Sequence, residues 1–184
     1  MLRTLLMSAQ TKTTRMAKVS ETTLEINLAS LKHNFEYLKS KLQNNTLFLA
    51  VVKAFAYGSD ASIVAKTLQE LEVDYFAVAY ISEGVALRKA GIKTPILVLH
   101  PQLNNLSLAI EHCLEPSLYT IKILKAFARV ARVLNQKNYP VHIKFNTGLN
   151  RLGFEPEDLD LVADQFSETT VLKVKSVFSH LAAS

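Results

Sequence analysis

The chain has 184 residues, 49% hydrophobic and 20% charged, a composition typical of soluble globular proteins and enough for one domain with a sizeable core. The net charge of +5 sits at one end: residues 1–20 hold Arg3, Lys12, Arg15 and Lys18 and no acid, leaving 17 basic and 16 acidic residues elsewhere. The remainder is near neutral, so the basic charge gives no argument for a nucleic-acid partner and none is expected; no apolar run is long enough to span a membrane, and single Cys113 rules out an intramolecular disulfide and fits a reducing compartment, expected to be the cytoplasm.

Residues 1–20 show no period and read as a disordered basic leader, faintly like an organelle transit peptide. Residues 21–184 are expected to form the folded domain. Thr22 to Asn27 alternates, which predicts a short strand. From Leu28 the apolar positions Leu28, Leu31, Phe35, Leu38 and Leu42 form a helical stripe, ended by Asn44-Asn45.

Leu47 to Val52 is continuously apolar, which predicts a strand buried on both faces. Lys53 then breaks the pattern, and Tyr57-Gly58-Ser59-Asp60 reads as a turn and a helix N-cap. A lysine at the C-terminal end of a parallel strand lies where α/β barrels and doubly wound sheets place their chemistry. Partial desolvation lowers the pKa of such an amine and makes it a nucleophile. The competing reading is a strand-end lysine that snorkels to water.

Beyond it the pattern alternates. Helices are predicted over Asp60–Leu71, Ile81–Ala90 (stopped by Gly91), Leu103–Glu111, Thr120–Gln136 and from Pro156. Val64, Leu68 and Leu71 face inward on the first of these; Leu124, Phe127, Ala131 and Leu134 on the fourth; Leu159, Val162 and Phe166 on the last. Strands are predicted over Asp74–Ala79, Thr94–Leu99, Cys113–Leu118, Val141–Phe145 and Leu172–Phe178, with Cys113 as a buried thiol. With the lysine strand this makes six parallel strands joined by crossover helices, in a barrel or an open doubly wound sheet.

Two further strand ends carry polar groups. Lys144-Phe145-Asn146-Thr147-Gly148-Leu149-Asn150-Arg151-Leu152-Gly153 places two cations across a strand end and its loop, able to face an oxyanion; Arg151 is otherwise a loop salt-bridge residue. Ser179-His180-Leu181-Ala182 places an imidazole after the last strand, able to stack on a flat ring or to serve a structural role. His33, His100, His112 and His142 lack metal-ligand spacing, and no zinc site, P-loop, GxGxxG or G-x-S-x-G motif is present.

Val52-Lys53-Ala54-Phe55-Ala56-Tyr57-Gly58 resembles the pyridoxal phosphate (PLP) lysine motif of the alanine racemase family. Phe55 and Ser59 depart from its commonest form, as in a subgroup that includes fusions to a cell-wall ligase. The Lys144–Gly153 segment is similar to the family's second signature, and Ser179-His180-Leu181-Ala182 to a third. The resemblance runs from about Thr22 to the end, roughly the first half of a family-length chain. It implies an α/β fold, an incomplete (β/α)8 TIM-type barrel with about six of eight strands and without the C-terminal β-domain. It implies Lys53 as the catalytic lysine and internal-aldimine partner of PLP, Tyr57 on the phosphate, Arg151 on the phenolic oxygen and His180 against the ring. Lys144 corresponds to a lysine that is often carbamylated to hold that arginine. The implied function is interconversion of L- and D-alanine for peptidoglycan, in a homodimeric full-length protein. This chain alone is expected to be inactive, because the opposite-face tyrosine comes from the C-terminal domain of a partner subunit. The alternative is a non-catalytic PLP-binding barrel, from which Tyr57-Gly58 distinguishes the chain.

Overall fold

The computed structural model describes residues 22–167 and 170–182; the basic leader lies outside them. Six strands form one sheet: β1 (Leu49–Val51), β2 (Tyr75–Val78), β3 (Ile96–Val98), β4 (Glu115–Leu118), β5 (Tyr139–Lys144) and β6 (Leu172–Phe178). Spatial order follows chain order, and every neighbouring pair is parallel. Each crossover therefore steps the same way around the sheet. A doubly wound sheet would reverse direction at a switch point. The architecture is α/β, a six-strand arc of a (β/α)8 barrel.

The connections are α1 (Leu28–Lys39), α2 (Lys53–Gly58, a single turn), α3 (Ala61–Glu70), α4 (Ile81–Lys89), α5 (Leu106–Glu111), α6 (Ile121–Val133) and α7 (Leu159–Ser167). Local chemistry sets their starts. The side chains of Asn27, Asp60 and Thr120 accept from the amides of Ser30, Ile63 and Ile123 at 2.9, 2.9 and 3.3 Å, each satisfying an amide that lacks a helical partner. The core lies between the sheet and its helical layer. Ala65 and Leu68 of α3, Leu87 of α4, and Leu124, Phe127 and Ala131 of α6 are buried with Phe76, Val78, Ile96, Val98 and Leu118 of the strands.

Several expectations are corrected. Residues 22–27 form no strand; Asn27 ends that segment as the cap of α1. On α1 only Phe35 is buried; Leu28 and Leu38 are exposed, as is Leu42 beyond the helix end, because the helix packs one narrow face on α3. Strand β1 is not covered on both faces: Val52 is 3% exposed, but Leu49 and Val51 are 39% and 38% exposed. They line an open cavity on the inner face of an edge strand. Leu134 and Leu159, expected inward, are exposed at the end of α6 and the start of α7. Cys113 is exposed and adopts φ 51° directly after α5, in the left-handed position that ends many helices.

Candidate functional site

The chain after β1 does not continue as a right-handed turn. Ala54, Phe55, Ala56 and Tyr57 have φ values of 50°, 55°, 52° and 59°, four successive left-handed residues without a glycine. This conformation costs roughly 1–2 kcal/mol per L-residue, and it persists only where surroundings enforce it. Enforcement is visible on all sides. The Val52 amide donates to the Ala77 carbonyl at 2.9 Å, the Ala56 amide to the Val52 carbonyl at 3.0 Å, and the Ser59 amide to the Phe55 carbonyl at 2.8 Å. The Ser59 hydroxyl donates to the Ala56 carbonyl at 2.8 Å. The Ala54 amide donates to Glu83 Oε1 at 2.8 Å. The turn directs both Lys53 and Tyr57 to the cavity.

Strand β5 delivers Lys144 to the same cavity, and the loop after it delivers Arg151. Lys144 is 7% exposed. Burial, and then the nearby Arg151 charge, lower its pKa below the ordinary lysine value. The loop is tied down by Asn146. Its Oδ1 accepts from the amides of Gly148 and Asn150 at 3.2 and 3.0 Å, and its Nδ2 donates to Asn150 Oδ1 and Glu155 Oε1 at 2.8 and 2.9 Å. Phe154 closes the loop, donating to the Lys144 carbonyl and accepting from the Asn146 amide, both at 2.8 Å. The Thr147 and Ser179 hydroxyls meet, linking this loop to the segment that carries His180.

The cavity of about 560 Å³ therefore gathers Lys53, Tyr57, Lys144, Arg151 and His180, every site residue expected from the sequence. Its volume falls in the range of small-molecule sites, about 300–1,000 Å³. With Lys175 it has four lysine or arginine side chains and no carboxylate in its lining. Among the described residues, Arg151 makes no ion pair or hydrogen bond through its side chain. A carboxylate-free, cation-rich wall with a free guanidinium and the half-buried amine of Lys53 fits an anionic aldehyde cofactor such as PLP.

Sequence reasoning missed the polar chain beneath this wall. Tyr75 donates to Glu115 Oε2 at 3.2 Å, and His142 bridges the same oxygen at 2.8 Å to Ser176 Oγ at 2.7 Å. The chain crosses from β2 through β4 and β5 to β6. Burial, then the charge and hydrogen bond of Glu115, push the Tyr75 hydroxyl up to about 12. His142 stands two residues before Lys144, so strand alternation puts both on the inner face. That spacing was the available signal. Glu83, three residues after the α4 cap, carried only the signal of a helix-start carboxylate.

Parallel strands wound in order, with a lysine, an arginine and a histidine beyond their C-terminal ends around one cavity, define an α/β-barrel domain with a cationic cavity of small-molecule size. The family described as "Alanine racemase, N-terminal domain" matches residues 26–184. The chain belongs to that family. It is 37% identical over 170 residues to alanine racemase 1 of Caldanaerobacter subterraneus subsp. tengcongensis, covering 90% of this chain and 43% of that protein. Alanine racemase of Helicobacter pylori is 34% identical, over 86% of this chain and 42% of that one. Among solved structures, alanine racemase of Clostridium difficile 630 superposes with a TM-score of 0.81 at 32% identity, over 85% of this chain and 42% of that one. The Bacillus anthracis enzyme, solved with bound L-Ala-P, gives 0.76 at 28% identity, over 84% and 40%. The chain thus spans less than half the length of these relatives.

Proposed function

We propose that this chain is the cofactor-binding barrel portion of a PLP-dependent alanine racemase, an isomerase that interconverts L- and D-alanine. The observation that carries the reading is the convergence of Lys53, Tyr57, Lys144, Arg151 and His180 on one cavity with no carboxylate in its lining. The L-Ala-P bound in the B. anthracis neighbour supports an alanine-sized substrate.

PLP, when bound, supplies an electron sink that makes the α-proton of an amino acid acidic. The remaining work belongs to the chain. Lys53 Nζ would hold the cofactor and would accept the α-proton on its own face. The Tyr57 hydroxyl would bind the phosphate. The Arg151 guanidinium would pair with the phenolic oxygen, and Lys144, once carbamylated, would hold it there. His180, which lines the cavity, would pack against the cofactor ring. Proton return on the other face needs a group from the C-terminal domain of a partner subunit. The functional unit is accordingly a homodimer of the longer protein, in the cytoplasm, supplying D-alanine to peptidoglycan. Residues 1–184 alone bind PLP without racemising alanine. No helix among the described residues is long and apolar enough to cross a membrane.

The test is an absorbance scan of the purified chain with added PLP, followed by borohydride reduction and peptide mass analysis. The expected result is a visible-region band and a reduced adduct on Lys53, both lost in Lys53→Ala. An adduct on another lysine, or none in a folded sample, overturns the assignment. Turnover of L-alanine by the same sample would overturn the claim that this portion is inactive alone.

A further inference from the structure

We infer that Glu83 is a positioning residue for Lys53, acting through the left-handed turn. The role rests on Lys53 being the cofactor lysine. Glu83 lies at the start of α4, the helix that follows β2, the strand paired with the lysine strand β1. Its Oε2 accepts from the amides of Ala79 and Tyr80 at 2.6 and 3.1 Å, fixing the end of β2 to the first turn of the helix. Its Oε1 reaches across to the Ala54 amide at 2.8 Å. One carboxylate thus binds two strand ends at once.

Helix capping accounts for the first oxygen but not for the second. Ala54 is the residue directly after Lys53 and the first of the four left-handed positions. Its amide points away from the normal ladder, so without Glu83 it loses its acceptor within the protein. The other bonds that hold the turn come from Val52, Ala77 and Ser59, which are the turn's own flanks and the β2 backbone. Glu83 is the side chain from another element that grips it. The carboxylate has two acceptor oxygens to serve three amides. A glutamine keeps one acceptor; set on the two amides of the helix start, where it satisfies more donors, it turns its NH2 against the Ala54 amide and releases the lysine turn. Freed of that grip, the Lys53 amine samples orientations away from its productive one, and small misplacement at a reacting group lowers rates steeply.

The test uses the 184-residue chain and three variants: Glu83→Ala, Glu83→Gln and, as a capping control elsewhere, Thr120→Ala. Amide hydrogen exchange is read over residues 53–58, and borohydride-trapped PLP on Lys53 is read as a rate at equal folded fraction. Both Glu83 variants are expected to exchange faster over 53–58 and to trap PLP about tenfold or more slowly. Thr120→Ala is expected to lower the urea midpoint while leaving both readouts at wild-type values. Wild-type exchange over 53–58 in the Glu83 variants overturns the inference, as does wild-type trapping with faster exchange. If the alanine variant does not fold, the glutamine variant decides by the same criteria. If the unmodified chain traps no PLP on Lys53, the cofactor assignment and this role toward it fall together, and exchange then shows only whether Glu83 holds the turn.

Discussion

Lys144 combines a buried position with a neighbouring cation, and both make its charged form unfavourable. Its folded pKa is lowered from the ordinary 10.5. Below the folded value both states hold the proton and the penalty is present in full. Between the folded value and 10.5 the unfolded chain binds more protons, so stability rises with pH across that window. Replacing Lys144 with methionine should flatten this rise, read from urea midpoints through the alkaline range; equal slopes would refute it. The depressed pKa also leaves more neutral amine, whose lone pair can form a bond to carbon dioxide as one proton leaves to solvent. The product carries a negative charge beside Arg151, turning repulsion into attraction. With carbon-13-labelled bicarbonate, the chain should show a carbamate resonance that is absent in Lys144→Gln and weakened in Arg151→Ala. An undiminished signal in Lys144→Gln would assign the carbamate elsewhere.

At the scale of elements, the loop after β5 depends on Gly153. Its φ is 144°, and a Cβ there would lie far inside contact distance of the Asn146 amide and the Phe145 carbonyl. These are backbone atoms, held by the Phe154 bonds at 2.8 Å, and cannot step aside. Gly153→Ala should therefore cost about 2–3 kcal/mol in urea unfolding and release Arg151 from its place. A change within a few tenths of a kcal/mol would show that the loop has slack. Much of this scale was legible in the sequence. Capping residues Asp60 and Thr120, the buried stripe of α6 and the six strands follow from spacing and side-chain chemistry alone. The left-handed turn was not legible. Ala54, Phe55, Ala56 and Tyr57 contain no glycine, and local preference favours the opposite hand. Its conformation is imposed by Glu83 and Ala77, partners that only the fold brings near. The same holds for β1, where an apolar run read as doubly buried because composition does not reveal which side faces a cavity.

At the scale of the molecule, β1 and β6 are, among the described residues, the two edges of the arc, each paired with a strand on one side only. Apolar side chains flank both: Leu47 is 65% exposed beside β1, and Val177 is 63% exposed on β6. Open parallel edges with apolar flanks pair readily with other chains. The 184-residue chain should therefore self-associate through these edges as its concentration rises, seen by sedimentation velocity. A lysine on the β6 edge adds charge that a paired strand would have to desolvate. Val177→Lys should shift the chain toward monomer while leaving its far-ultraviolet circular dichroism unchanged, because Val177 lies outside the buried core. Since Val177 does not line the cavity, the variant should also trap PLP on Lys53 at the wild-type rate. A wild-type chain that stays monomeric over the same range would mean the edges are protected in solution. Unchanged association in Val177→Lys would move the contact to another face.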